Sequence, residues 1–334
     1  MDEEATVGGL AITPEAGRVA VEEAGERPYE RAMEHLKRHH GIQMSKGFLE
    51  KLTQMVGEFW LQRDDREAQR CLSDKVIPLA EVACDRCCVL ADGTTIHTDG
   101  DWHEVRVGPV CGSEGERRRK SSMARFGDVG RFGANLWRKA CQYGYRGASL
   151  KAFLGDGSHW IWNIADMHFS DAVHILDWYH LAERVSQCSN ELFGEATEQS
   201  RQWAAGVRQI MKLGKVQQAL DELEKLRLGS KNKRQAKHEL ITYLMNNRER
   251  VDYPRYRALG LPIGSGEVEA DCKALVQARC KQSGMRWKKR GAERVLRVRC
   301  ALRDGSFHIL WDHPEESITV WQKRRLRQDQ RQAA

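Results

Sequence analysis

Apolar residues recur at helical spacing near the N-terminus of the chain. One set comprises Tyr29, Met33 and Leu36, and a second comprises Phe48, Leu49, Leu52, Met55 and Val56. Because residues three and four apart share one face of a helix, both sets predict helices. The polar break at His39-His40-Gly41 could join them as a helix-turn-helix, but any helical hairpin gives the same pattern. The pattern therefore predicts a helical region over residues 28–85.

The pattern changes to that of strands after residue 86. An apolar run at 88–91 leads into Asp92-Gly93, and a turn at 99–101 separates it from an alternating segment at 103–108. Residues 128–147 have helical spacing. Two further short apolar runs, 150–154 and 172–176, end at the aspartates of 155–157 and 177. Strands that alternate with helices predict an α/β domain with a mixed sheet.

The second half of the chain returns to helical spacing. Residues 181–252 are polar, with leucines at heptad-like intervals, at Leu213, Leu220, Leu223, Leu226 and Leu228. This stretch predicts an all-helical insertion without chemistry of its own. A helix is predicted from near Gly264 to Gly284, with Val268, Cys272, Leu275 and Val276 on one stripe, and a last helix over 291–303. The resulting division is 1–27 (acidic, disordered), 28–85 (helical), 86–183 (first part of the core), 184–260 (helical insertion), 261–305 (last core helices) and 306–334 (basic tail).

Composition narrows the class of protein. The 334 residues are 41% hydrophobic and 30% charged, which is ordinary for a globular protein, and no apolar run is long enough for a membrane span. The first residues lack the layout of a signal peptide, so we expect a cytoplasmic protein. Ten cysteines then indicate reduced thiols. Cys84, Cys87 and Cys88 have metal-like spacing, but a second pair is missing and Cys71 and Cys111 are distant.

The net charge of +7 is unevenly distributed. The first 35 residues are rich in acids, whereas bases cluster at 117–120, 286–290 and 323–327. Such clusters are typical of proteins that bind phosphate backbones, because neutralised phosphates release condensed counterions. The alternative for the C-terminal cluster is a solvated tail. At 286–290 a tryptophan stands among the bases, which favours nucleic acid there.

Two aspartates indicate a metal site. Asp92 and Asp156 each follow a short apolar run and precede a glycine, which places them at the end of a strand. Carboxylates that meet at such an edge repel each other unless a cation lies between them, and hard oxygen ligands suit Mg²⁺ or Mn²⁺. The alternative is plain: Asp-Gly is a common turn dipeptide, and we assign Asp99-Gly100 to a hairpin turn for that reason.

A third carboxylate could come from the helix that begins near Gly266. Glu267 and Glu269 fall in its first turn, where either could simply stabilise the positive end of the helix dipole. Glu269 could also pair with Lys273 one turn later. The residues alone favour a structural role for both glutamates.

Four motifs between about residue 86 and residue 303 bear on whether these carboxylates are structural or functional. They are Gly155-Asp156-Gly157 with Trp160-Ile161-Trp162-Asn163, Asp177-Trp178-Tyr179-His180, Gly264-Ser265-Gly266 with Val268-Glu269-Ala270 and Cys272-Lys273, and Ser283-Gly284-Met285-Arg286-Trp287. In this order and density they resemble bacterial insertion-sequence transposases of the Asp-Asp-Glu type, in the branch related to Mutator-like transposases.

The resemblance implies a ribonuclease H-like core interrupted by a helical insertion. It assigns the catalytic and metal-binding roles to Asp92, Asp156 and Glu269, with Asp177 and Glu267 as rivals, and makes Asp177 and His180 supports of the site. Arg286, Trp287, Lys288, Lys289 and Arg290 would contact DNA. The implied cofactor is Mg²⁺ or Mn²⁺, and two metal ions would activate the nucleophile and stabilise the leaving 3′-oxygen. The implied partner is double-stranded DNA, both transposon terminal repeats and target, bound by a homo-oligomer at the nucleoid.

Four alternatives stay open at this point. A nuclease on the same core would cut DNA without joining it, and a domesticated transposase would bind DNA without catalysis. The helical region 28–85 could read the terminal repeats or could be structural. Trp160, Trp162, Trp178 and Trp287 could stack on unpaired bases, although for Trp160 and Trp162 core packing is the stronger interpretation.

Overall fold

The computed structural model of the protein describes residues 6–7, 10–80 and 83–312. Its strands are β1 (Thr6–Val7), β2 (Leu10–Ala11), β3 (Arg86–Leu90), β4 (Asp92–Thr98), β5 (Asp101–Glu114), β6 (Arg117–Arg125), β7 (Leu150–Gly155) and β8 (Val173–Leu176). Its helices are α1 (Pro14–Glu26), α2 (Tyr29–His35), α3 (Lys46–Ser73), α4 (Val129–Gln142), α5 (His159–His168), α6 (Trp178–Phe193), α7 (Glu198–Lys212), α8 (Val216–Lys225), α9 (Lys231–Asn246), α10 (Tyr253–Ala258), α11 (Gly266–Asp271), α12 (Ala278–Cys280), α13 (Lys289–Asp304) and α14 (Ile309–Asp312). Leu36–His40 and Cys272–Gln277 are π-helical.

Short polar side chains begin several of these helices. Ser45, Asp128 and Thr197 stand at the N-caps of α3, α4 and α7, and each accepts a hydrogen bond from a backbone N–H of the first turn. Thr13 does the same for α1, where Pro14 follows it. These contacts satisfy donors that a helix leaves open at its N-terminus, and so they fix where each helix starts.

The central sheet is mixed and six-stranded. β3 and β4 pair with β5 in one continuous antiparallel register, since Cys88 faces Cys111 and Asp92 faces Val107. They are therefore two segments of one strand line, interrupted at Ala91. β6 pairs with the other edge of β5, and β7 and β8 extend the sheet in parallel from β3. The order across the sheet is β6, β5, β3 with β4, β7 and β8, which confirms the predicted α/β class with a mixed sheet.

The sheet and the following helices share one apolar core. Val89, Phe153 and Ile175 from the strands are fully buried against helices on the sheet faces. The chain from α6 to α10 is helical, as predicted, and Val185 and Leu244 belong to the same core cluster. Of the leucines at heptad-like spacing, Leu220 and Leu223 are buried, whereas Leu213 is exposed. No described helix has both the length and the apolar character needed to cross a membrane.

A second apolar cluster joins the two ends of the described chain. Leu49, Leu52 and Val56 of α3 pack with Val295 and Val298 of α13. The helical region 28–85 is therefore packed onto the last helix of the core. Some boundaries differ from the sequence prediction, and α3, the last helix of the region 28–85, ends at Ser73. α1 lies within the stretch expected to be disordered, because its small apolar residues are buried, and the start of the predicted tail is ordered because Phe307 and Leu310 join this cluster. The rest of the tail, with its basic cluster at 323–327, lies outside the described residues.

Buried ion pairs also join α3 to α13. Asp64 of α3 is bonded to Arg297 of α13 and to Arg138 of α4, and all three side chains are nearly inaccessible to solvent. Glu58 lies six residues before Asp64 on α3 and accepts hydrogen bonds from Arg290 and Arg294 of α13. Burial would raise the pKa of Glu58, but the bonds from the two arginines and from Gln62 outweigh it and lower the pKa to about 2.

Glu58 should therefore make stability depend on pH in acid. A carboxyl whose folded pKa is below its unfolded value stabilises the protein above the unfolded pKa, and this contribution is lost as the pH falls. The window for Glu58 runs from its ordinary 4.5 down to about 2. We expect Glu58→Gln to lower the free energy of unfolding at pH 7 and to flatten its decline across that window, measured by urea titration at several pH values. An unchanged slope would contradict the pairing.

Candidate metal centre

Three side chains with metal-binding atoms meet at one edge of the sheet. Asp92, Asp156 and His180 each bring one donor atom, and these atoms lie within 4.8 Å of one another. Asp92 follows β3, Asp156 follows β7, and His180 lies in the first turn of α6 directly after β8. Because β3, β7 and β8 are parallel, their carboxyl ends open at the same edge, where α/β proteins place ligands. The topology thus brings together residues that are 88 positions apart (180 − 92).

The Gly-Asp-Gly turn holds Asp156 in place. Asp156 Oδ1 accepts a hydrogen bond from the Ser158 amide at 2.7 Å, and its Oδ2 accepts one from the Ser158 hydroxyl at 3.0 Å. The hydroxyl of Tyr243 donates to the Asp156 carbonyl. Gly157 has a φ of 101°, and a Cβ there would lie 2.6 Å from the Tyr243 ring. Glycine is thus required after Asp156 both for its backbone conformation and for the approach of α9.

Asp177 lies behind the cluster and orients His180. It is completely buried at the N-cap of α6, where Oδ1 accepts from the amides of Tyr179 and Ser265, both at 3.0 Å. Oδ2 accepts from the Ser265 hydroxyl and contacts His180 Nδ1 at 2.5 Å. With Nδ1 held in this way, Nε2 is left for a ligand. A carboxylate behind a metal-binding imidazole is the usual means of fixing its orientation. Of the two rival aspartates, the structure therefore places Asp156 in the cluster and Asp177 outside it.

The protonation equilibria reflect the density of negative charge. Burial raises the pKa of Asp92 to about 6, helped by Asp156 and Asp177 and opposed by the Gly93 amide and His180. The hydrogen bond to Asp177 raises the pKa of His180 to about 9, against the effect of burial. Without another cation, a protonated His180 balances the carboxylates. Two carboxylates and one imidazole are also a fitting donor set for a divalent ion. Such an ion would neutralise the carboxylates in place of the protonated His180.

The two glutamates of α11 lie outside the cluster. The side chain of Glu269 is 57% exposed and its Oε1 is 2.5 Å from Lys273 Nζ. Glu267 is equally exposed and pairs with Lys120 at 2.9 Å. Burial is the main cause of the raised pKa of Cys272, and the charges of Asp92 and Glu269 add to it. Glu269 is therefore within electrostatic range of the same cysteine as Asp92. The structure brings Asp92 and Asp156 together and leaves Glu269 to the side.

The residues predicted to contact DNA divide into two groups. Arg286 and Lys288 are exposed, and Lys289 is half-buried with its ammonium over the Phe126 ring. Arg290 is bonded to Glu58 at 2.6 Å. Trp287 is half-buried between the two apolar clusters, and the Arg279 guanidinium lies 5.0 Å from its ring centre. Arg286, Lys288 and Lys289 thus have charge to offer a phosphate, whereas the Arg290 side chain, although 66% exposed, is paired with Glu58 in this conformation.

The other tryptophans considered for base stacking, and the cysteines, are buried or half-buried. Trp162 is buried and donates to the Asn247 side chain at 2.9 Å, which confirms core packing for this residue. Trp160 is half-buried under Arg106, and Trp178 packs on Tyr253. All ten cysteines are free. No cysteine belongs to a group of three or more metal-binding side chains within the described part of the chain, so the spacing of Cys84 and Cys87 gains no support as a zinc site.

Asp177→Asn should weaken metal binding without removing a ligand. The amide retains an oxygen for the Ser265 and Tyr179 amides but no longer carries the charge that holds His180. We expect the affinity for Mn²⁺ to fall about 10–100-fold, as for other residues that orient metal ligands. Calorimetric titration measures this, with Asp171→Asn as the matched control, because Asp171 is an exposed aspartate that bonds Tyr145 and Lys151 instead. Equal affinities in the two variants would refute the role of Asp177.

Comparison with protein-family models gives no match, and no curated protein matches the chain either.

Proposed function

We propose that the protein is a DNA transposase that cleaves transposon ends and joins the 3′-hydroxyl to target DNA with Mg²⁺ or Mn²⁺. The observation that carries the proposal is the Asp92–Asp156–His180 cluster. Its members belong to segments far apart in the chain, and two of them lie in the motifs that resemble Asp-Asp-Glu transposases. Turn formation alone would explain each Asp-Gly pair separately, but it gives no reason for the two aspartates to face each other beside an oriented histidine.

The topology of the sheet supports a ribonuclease H-like core. An antiparallel three-stranded part, formed by β3 with β4, β5 and β6, is extended by the two parallel strands β7 and β8. The helical stretch from α6 to α10 then separates β8 from α11, in the place where the resemblance implies an insertion. On this proposal the insertion also supports the site, since Tyr243 of α9 bonds the Asp156 carbonyl.

Asp92, Asp156 and His180 would hold the metal. When bound, the metal supplies charge stabilisation to the phosphoryl group and lowers the pKa of a water or hydroxyl that attacks it. Asp177 keeps His180 in the orientation that presents Nε2. Imidazole is a softer ligand than carboxylate, and this donor set therefore favours Mn²⁺ more than an all-oxygen site would.

Glu269 is the third proposed carboxylate, and it has to leave Lys273 to take part. The two side chains form an exposed pair one turn apart, and such pairs contribute only about 0.3–0.5 kcal/mol. The free energy lost by separating them is therefore small compared with the free energy gained from a metal–carboxylate contact. Glu267 is held by two hydrogen bonds, because Lys120 Nζ donates both to its side chain and to its backbone carbonyl.

Exposed bases would hold the DNA backbone. Arg286 and Lys288 precede α13, and Arg117, Arg118 and Arg119 are exposed on β6, at the edge of the sheet. Contacts of this kind position a duplex without reading its sequence. Joining two transposon ends to one target requires both ends in one complex, and we therefore propose that a homo-oligomer forms on DNA at the nucleoid.

The experiment is a cleavage and joining assay. Purified protein is incubated with a labelled duplex carrying the DNA that flanks the coding sequence, a target plasmid, and Mg²⁺ or Mn²⁺. We expect metal-dependent nicks and joined products, both lost in Glu269→Gln and retained in Glu267→Gln, the neighbouring glutamate of the same helix. Cleavage without joining would replace the proposal by a nuclease. DNA binding with no cleavage would replace it by a non-catalytic DNA-binding protein.

A further inference from the structure

A second group of metal-binding side chains lies in the N-terminal helices, remote in sequence from the proposed active site. Glu23 near the end of α1, His35 at the end of α2 and His40 at the end of the π-helical segment each bring one donor atom, and these atoms lie within 4.8 Å of one another. Nothing in the proposed chemistry of the cluster at Asp92 uses these residues.

The π-helical turn is what brings the two histidines together. The Gly41 amide donates to the Leu36 carbonyl five residues earlier, which is the hydrogen bond of a π-helix. In an α-helix, with 3.6 residues per turn, residues five apart diverge around the axis. Here the wider turn returns His40 to the side of His35, and their ring centres are 6.1 Å apart. Inserted turns of this kind occur frequently at functional sites.

Glu23 completes the group from the neighbouring helix. Its Oε2 lies 3.1 Å from His35 Nδ1, and its side chain is only 13% exposed. His35 Nδ1 is itself buried and makes no hydrogen bond. Neighbouring ligands of a tetrahedral Zn²⁺ ion lie about 3.3 Å apart, given metal–ligand distances of about 2.0–2.2 Å. The carboxylate and the imidazole therefore already have nearly the separation of two ligands of one ion, while the nitrogen lacks any other partner.

We propose that Glu23, His35 and His40 bind a first-row transition ion such as Zn²⁺ or Co²⁺, with water in the fourth position. Two imidazoles and a carboxylate suit these ions better than Mg²⁺ or Ca²⁺. His39 lies beside the site but outside the ligand set, with its ring tilted by 36° against that of His35 at 4.2 Å between centres. The ion would tie α1 to the α2–π-helix segment and so fix the N-terminal helices that pack on α13.

One cation competes for the same carboxylate. Arg27 forms an ion pair with Glu23 Oε2, and its side chain is 40% exposed, so it can turn to solvent when an ion binds. Arg27→Gln should accordingly strengthen metal binding severalfold, since the bound ion no longer displaces a guanidinium. A gain of affinity of this kind does not arise from misfolding.

The test is a Co²⁺ titration of untagged full-length protein that carries Asp92→Asn and Asp156→Asn, so that the other cluster does not compete. Visible absorption reports ligand number and affinity independently of any DNA activity. We expect one Co²⁺ per chain, at least tenfold weaker binding in His40→Gln, and unchanged binding in His39→Gln. His40 and His39 are both exposed, so neither change threatens the fold. Absence of binding, equal binding in His40→Gln, or an equal loss in His39→Gln would overturn this ligand set.

Discussion

Asp156→Asn should abolish metal-dependent DNA cleavage while leaving the fold intact. The amide oxygen can still accept the hydrogen bond from the Ser158 backbone, so the Gly-Asp-Gly turn is retained. What is lost is the negative charge that faces Asp92 and His180. Charge stabilisation by a bound metal amounts to several kcal/mol, and we therefore expect the cleavage rate to fall at least about a thousandfold. Single-turnover cleavage of a labelled duplex measures this rate.

The matched control is Asp166→Asn. Asp166 lies further along α5, its side chain is 64% exposed, and its carboxylate is 3.6 Å from the half-buried His174. The same change of charge there should leave the rate within a factor of about two, because screened surface charges contribute little. If both variants cleaved like the unmodified protein, Asp156 would have no part in the chemistry. If both lost activity alike, the loss would come from net charge and not from the cluster.

Asp64→Ala should cause the largest loss of stability among the ion-pair residues. Asp64 is bonded to Arg297 and Arg138, and Arg125 lies 4.0 Å away. Burial would raise its pKa, but the arginines hold it well below the usual range. Removing the carboxylate leaves buried guanidinium groups without a counter-charge, which typically costs about 3–5 kcal/mol. Urea unfolding followed by circular dichroism measures the free energy of unfolding.

Glu67→Ala provides the comparison for Asp64. Glu67 also bonds Arg138 and lies one turn further along α3, but its side chain is 29% exposed. Its removal should cost about 1 kcal/mol or less, since solvent can reach the pair. Equal losses in the two variants would show that burial of the Asp64 network does not decide its contribution, and a loss of less than about 1 kcal/mol for Asp64→Ala would refute the network as a stabilising link between α3 and α13.

Short-range patterns carried enough information to predict much of the sheet. Apolar runs ending in Asp-Gly correctly located β3, β7 and their carboxyl ends, and the turn at Asp99-Gly100 joins β4 to β5 as predicted. β6 was missed, because its first half, Arg117–Lys120, has the composition of a solvated loop. In this half the side chains of Arg117, Arg118 and Arg119 stay in solvent at the edge of the sheet, whereas Lys120 pairs with Glu267 and Asp271, and the second half of the strand is buried.

The composition of the site was only partly predictable, for reasons of geometry. The sequence pointed to Asp92 and Asp156, since both follow strands, and the structure brings them together. His180 was predicted only as a support, because sequence spacing does not show which way a side chain on the first turn of α6 points. The hydrogen bond that turns it toward the aspartates comes from Asp177, which Ser265 fixes from a segment 88 residues away (265 − 177).

Long-range packing accounts for the other differences. Nothing in residues 28–85 alone indicates that α3 is held to α13 by buried charges, because the partners that Asp64 and Glu58 have on α13 lie more than two hundred positions along the chain. For the same reason Trp287 and Arg290, taken from a basic motif, are engaged in contacts within the protein. A motif records which residue types occur together, whereas their exposure depends on elements that the motif does not contain.

The most direct test of the central claim is anomalous scattering from a crystal of the unmodified protein soaked in Mn²⁺, with data collected on both sides of the manganese absorption edge. The account predicts a manganese peak in contact with the carboxylates of Asp92 and Asp156 and with Nε2 of His180. Manganese bound elsewhere, with this cluster empty under conditions in which Mn²⁺ supports DNA cleavage, would contradict it.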